Sequence, residues 1–201
     1  MRAAVVAMAM AAGLAGCGSS THVEVGAPPS SASPTPTASA SPIGFLAAAD
    51  LPQGDRYGAW TRGEQTAGLG DPPYFCLAKV LPTDRTTLRL YSSDKDAEAR
   101  QFLVSAADAG LETAVRAAVA DCAARYRKAF PHDGASGKDY PEASTGPAVS
   151  GVFFAPKDSE YGMQLYAVKR SGDALSVLVL AQGGKADEAP VDAFRTSAAK
   201  L

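Results

Sequence analysis

Apolar positions fall into three regimes along the chain. Ala3 to Leu14 is a run of Ala, Val, Met and Leu with one Gly, too short to span a bilayer core as a permanent helix. Residues 18–42 are almost entirely Ser, Thr, Pro, Ala and Gly and lack the apolar side chains for a packed core. From Ile43 onward, apolar and polar residues alternate with the periods of strands and helices.

In this third regime, residues 43–50 predict a short helix ended by Leu51-Pro52, and 57–64 a strand carrying Trp60, the only tryptophan. Leu88 and Leu90 alternate with Thr87, Arg89 and Tyr91, so 86–92 is a half-buried strand. Asp94-Lys95-Asp96 is a turn, and 97–105 returns as the second arm of a hairpin. Leu111, Val115, Ala118, Val119, Cys122 and Tyr126 form an apolar stripe at helical spacing. That helix is expected from the N-cap Asp108 to Phe130, where Pro131 stops it. Residues 132–147, rich in Gly, Ser, Asp and Pro, read as a long loop. Three strands (148–155, 161–169 and 174–182) follow with turns at 157–160 and 171–173, and a helix over 190–200 closes the chain.

Runs of strands separated by helices indicate an α+β fold with an antiparallel sheet. Residues 175–180 are apolar on both faces, apart from Ser176, which marks a central strand covered on both sides. The expectation is that the long helix and the C-terminal helix pack on one face. The other face would then be closed by loops or left as a groove.

The first regime ends in Leu14-Ala15-Gly16-Cys17, after a single Arg2. A cation, an apolar stretch and small residues up to a cysteine form a lipoprotein signal peptide over residues 1–17. Cys17 is then the lipidation site, and its diacylglycerol would hold the protein to the extracytoplasmic face of the cell membrane. Residues 18–42 become a tether and 43–201 a single globular domain, large enough to bury about two thirds of its unfolded surface. In an oxidising compartment Cys76 and Cys122 most simply pair with each other, the alternative being two separate core thiols.

Charge narrows the partners. Without Arg2 the chain has 18 basic and 21 acidic side chains, interspersed in sequence. There is no basic stripe for nucleic acid and no polybasic run beside the lipid anchor. Catalytic chemistry is poorly supplied. His22 falls in the tether and His132 in a loop, so any hydrolytic triad would have to use His132, and no nucleophile elbow is present. Asp94, Asp96 and Glu98 lack the glycine and terminal glutamate of a calcium loop. No metal site or cofactor is expected, and the reading is non-enzymatic.

Phe45-Leu46-Ala47-Ala48-Ala49-Asp50-Leu51-Pro52, Trp60, the Cys76 segment, Asp121-Cys122 and the late meander with its closing helix resemble PknH-like sensor domains. These are extracytoplasmic modules of actinobacteria, found on receptor kinases or as free lipoproteins. The resemblance covers about residues 43–201. It implies a disulfide-stapled α+β domain with a cleft for an unidentified ligand. Kinase-linked members carry two disulfides, whereas only Cys76 and Cys122 are available here.

Trp60, Arg89, Tyr91, Gln164 and Tyr166 lie on three expected strands, with Arg89 and Tyr91 sharing one face and Gln164 and Tyr166 another. If both faces look into the groove, they suit a small amphipathic ligand with an anionic end. The functional expectation is therefore a lipid-anchored ligand-binding or sensor protein. The alternative is an envelope scaffold that docks a protein partner on an exposed sheet face.

Overall fold

The computed structural model describes residues 43–155 and 162–201. Seven strands form one sheet: β1 (Trp60–Ala67), β2 (Thr86–Ser93), β3 (Glu98–Val104), β4 (Gly134–Tyr140), β5 (Val149–Ala155), β6 (Gly162–Ser171) and β7 (Ala174–Gly183). Their spatial order is β1-β2-β3-β7-β6-β5-β4, and every neighbouring pair is antiparallel. Two meanders, β1 to β3 and β4 to β7, thus meet along β3 and β7. Between them the chain forms α1 (Ala109–Ala120) and α2 (Cys122–Ala129), and α3 (Val191–Ala198) follows the last strand.

β7 is the central strand, as its two apolar faces require. Leu175, Val177, Leu178, Val179 and Leu180 are all fully buried, each stabilising the fold by about 1.5–3 kcal/mol. Their alternation divides the core in two. On one face Leu175, Val177 and Val179 pack with Phe102, Tyr166 and Val168 under Val115, Val119 and Cys122 of the helical layer. On the other, Leu178 and Leu180 pack with Tyr91, Leu165 and Ala167 under Phe194 and Ala198 of α3.

The α+β class, the antiparallel sheet and the single disulfide follow the sequence, but the helical layers do not share a face. α3 lies opposite α1 and α2. Residues 43–57 complete its layer, contributing Leu46, Leu51 and Tyr57. Only Ala48–Asp50 of the expected first helix is helical, as one 3-10 turn. No bare groove remains on the central strands, because this N-terminal segment supplies the cover that counting helices alone omits.

The long helix is broken at Asp121, which caps both α1 and α2. Arg125 donates from Nη2 to the Ala118 carbonyl at 2.7 Å, supplying that carbonyl with a side-chain partner at the break. Asp108 accepts from the Leu111 amide at 2.7 Å, the N-cap expected of it.

The expected 132–147 loop contains β4, which pairs with β5 from Gly134 to Tyr140 without a register shift. Its Gly, Ser, Lys and Asp residues show no apolar alternation because β4 is an edge strand, largely exposed on both faces. β1, at the other edge, is exposed throughout Thr61–Ala67, and its register shifts between Arg62 and Gln65. The expected turn at 157–160 and Cys17 both lie outside the described residues.

Candidate functional site

The five side chains expected to line one groove lie on both sides of the sheet. Tyr91 is fully buried in the α3 layer, and its hydroxyl donates to the Leu46 carbonyl at 2.7 Å. Arg89 shares that face, and its guanidinium stacks on the Phe45 ring at 4.5 Å from the centroid. Trp60 donates from Nε1 to the Pro52 carbonyl at 2.7 Å and stacks on Tyr57 with centroids 5.9 Å apart. Gln164 and Tyr166 lie on the α1–α2 side, joined by a hydrogen bond from the Tyr166 hydroxyl to Gln164 Oε1. Period-two alternation gave the pairs correctly but not which face each pair joined, so the shared groove is withdrawn.

A different hollow combines apolar and charged groups. The Cys76–Cys122 disulfide holds the segment before β2 against the first turn of α2, with Cα atoms 5.2 Å apart and both cysteines buried. Beside it Phe75 meets Tyr126 edge-on at 5.5 Å and Phe130 at 6.0 Å, and Tyr126 also contacts Phe130 at 4.7 Å and Phe154 at 4.6 Å. Backbone bonds from Ala78 N to Tyr74 O (3.0 Å) and from Leu81 N to Leu77 O (3.1 Å) wind this segment into a tight turn. That turn sets Ala78 and Lys79 opposite Arg125, Lys128 and Ala129.

The result is an open groove of about 460 Å³ lined by Phe75, Ala78, Lys79, Arg125, Lys128 and Ala129. Its size falls in the range of small-molecule sites. Phe75 and the alanines supply apolar surface, and three cations supply charge. Arg125 is held in place: besides Ala118 it donates to the Cys76 carbonyl at 3.2 Å, faces Asp121 at 3.7 Å and stacks on Phe75 at 5.6 Å. Lys79 and Lys128 have no hydrogen-bond or ion-pair partner among the described residues. Nearby, Tyr126 donates to Asp133 Oδ2 at 3.2 Å, and burial followed by that carboxylate pushes its pKa up.

Two smaller hollows have different chemistry. One, of about 230 Å³ between the helices and β4–β5, is polar, with Arg127, Lys138 and Asp139 on its wall. Asp139 accepts from Ser150 at 2.9 Å, so these two groups are mutually satisfied. The other, of about 270 Å³, lies against the β1 edge beside Glu64, Asp71 and Arg100. Arg100 there is tied to Glu98 at 2.7 Å and to the Pro72 carbonyl at 2.8 Å. Among the described residues no three His, Cys, Asp or Glu side chains are arranged to hold a metal ion. The groove beside the disulfide is larger than these two and joins apolar surface to cations without partners among the described residues.

Sequence reasoning missed this groove, although a signal was present. Lys79 follows Cys76 by three positions, and Arg125 follows Cys122 by three. Once the cysteines are paired, the side chains one turn beyond them face each other. In comparisons with known proteins, the chain matches no family model, no curated protein and no solved structure.

Proposed function

We propose that the chain is a lipid-anchored, extracytoplasmic ligand-binding protein without catalytic activity of its own. In this reading it is a free lipoprotein form of the actinobacterial PknH-like sensor domain. The observation that carries the binding site is the groove beside Cys76–Cys122, where an apolar floor is rimmed by Lys79, Arg125 and Lys128. A small amphipathic ligand fits this chemistry, its apolar body on Phe75 and its anionic end on the lysines. Arg125 serves as a fixed part of the wall, since backbone carbonyls hold its guanidinium. A scaffold acting through a bare sheet face finds less support, because both faces of the central strands are covered.

Binding is tested with a dansyl-labelled fatty acid as the anionic amphiphile, alongside native mass spectrometry of protein purified from its own host. Joint Lys79→Ala and Lys128→Ala substitution should weaken binding by about tenfold or more, the scale of one lost charge-assisted contact. Ala78→Phe should block the groove. Unchanged affinity in both variants would remove the site. Anchoring is tested separately: Cys17→Ala should leave the protein unprocessed, and correct cleavage with full membrane retention would refute lipidation.

A further inference from the structure

We infer that the end of α2 is a membrane-contact surface that rests on an anionic bilayer. Phe130, which caps α2, is 45% exposed and is the one exposed large hydrophobic residue among those described. It does not project alone, because Tyr126 and Phe75 pack against its ring. The aromatic wall and the groove floor at Ala129 therefore continue into it.

Charge on this surface runs against the charge of the whole chain. The formal net charge of the protein is −2, yet residues 122–130 carry Arg125, Arg127 and Lys128 and no acidic residue. Lys79 joins them across the groove. Asp121 faces Arg125, and Asp133 accepts from Tyr126, whereas the groove's Lys79 and Lys128 have no partner among the described residues. An aromatic tip beside a groove rimmed by Lys79, Arg125 and Lys128 matches an interface that is apolar below an anionic headgroup layer. Arg125, Arg127 and Lys128 are already close in sequence, and folding adds Lys79 by bringing it to the end of α2.

This inference requires neither the groove ligand nor acylation at Cys17, and its experiment, run on the chain carrying Cys17→Ala so that no lipid anchor is present, separates it from both. The full chain carrying Phe130→Trp is bound to vesicles whose lipid chains are brominated, with the chain that keeps Phe130 reporting the Trp60 baseline. The introduced tryptophan should be quenched on phosphatidylglycerol vesicles but not on phosphatidylcholine, and the quenching should fade as salt is raised. Lys79→Gln with Lys128→Gln should abolish it while the thermal melt stays cooperative. Ala78→Phe should leave it intact even where it blocks the dansyl probe. No quenching on phosphatidylglycerol, or equal quenching on both lipids, would overturn the inference. Cross-linking of this tip to an envelope protein, with no response to lipid, would overturn it in favour of a protein partner.

Discussion

Gln101 holds Leu46 in place across 55 positions of sequence: the Leu46 amide donates to Gln101 Oε1 at 2.8 Å. Gln101 Nε2 in turn donates to the Gly44 carbonyl at 2.9 Å and to Ser176 Oγ at 3.0 Å. A fully buried amide on β3 thereby ties the segment at residues 44–46 to β7. Tyr91 adds a hydrogen bond to the Leu46 carbonyl, so both backbone groups of Leu46 are satisfied by side chains of the sheet.

Replacing Gln101 by Leu leaves the Leu46 amide and the Gly44 carbonyl without these partners. We expect a loss of about 2–4 kcal/mol in a urea titration. Hydrogen exchange at the Leu46 amide should accelerate more than at β7 amides. Wild-type stability in this variant would show that the hydrogen bonds contribute little and that apolar cover alone holds the segment.

Tyr166 and Arg89 should respond very differently to alanine. Tyr166 is buried to 2% exposure in the α1–α2 layer, so its truncation should cost about 3–5 kcal/mol. Arg89 is half-buried and stacks on Phe45, and its removal should cost only about 0.5–1 kcal/mol. Thermal unfolding of the two single variants checks this, and equal losses would contradict the assigned faces.

Cys122→Ala removes a cross-link between residues separated by 46 positions and empties space in the buried face of the helical layer. The chain-entropy effect alone is about 4 kcal/mol. The groove should suffer too, since the disulfide sets Lys79 opposite Arg125. Denaturation under reducing and non-reducing conditions gives the first quantity, and dansyl-probe binding by the reduced protein gives the second. Undiminished binding after complete reduction would show that the groove is held by its aromatic contacts.

Alkaline pH should destabilise the fold through its tyrosines. Burial pushes Tyr57 up to about 12 from the ordinary value of 10.0, against the opposing effect of the nearby Arg56 charge. Tyr74 and Tyr166 are also raised, foremost by burial. Because the folded state keeps these protons longer than the unfolded chain, their contribution is fully present below pH 10.0. It is lost as pH rises from there toward the folded value. A spectrophotometric titration should show phenolate appearing late and together with unfolding. Smooth ionisation near pH 10 in a still-folded protein would contradict the burial of these rings.

Much of the fold was legible because period and position agree. Leu175 to Leu180 mark the centre of the sheet and Asp108 marks the helix start, whereas the alternation over 86–92 placed a strand but not its second buried face, where Tyr91 packs. β4 was not legible, since an exposed edge strand is held mainly by its backbone ladder to β5 and needs no apolar alternation. The break at Asp121 was hidden because the apolar stripe continues from Val119 to Cys122 while the Ala118 carbonyl turns to Arg125. Tyr91 and Tyr166 look alike in sequence, and only the strand pairing puts them on opposite sides. The groove depends on a contact between residues 79 and 125–128, which no local pattern encodes and only the pairing of Cys76 with Cys122 brings into view.

The two outer strands bear on how the protein behaves at high concentration. A free sheet edge is a template for another strand, and flat apolar edges recruit copies of the same chain into aggregates. Here β1 ends the sheet with exposed Thr61, Arg62, Glu64, Gln65 and Thr66 and a register shift in its middle, while β4 ends it with Gly, Ser, Lys and Asp. Neither border offers a dry surface on which a second copy could extend the ladder. Crowded native molecules therefore meet edge to edge with charged and polar side chains between them, and the apolar strand best able to recruit copies, β7, is reached only by unfolding.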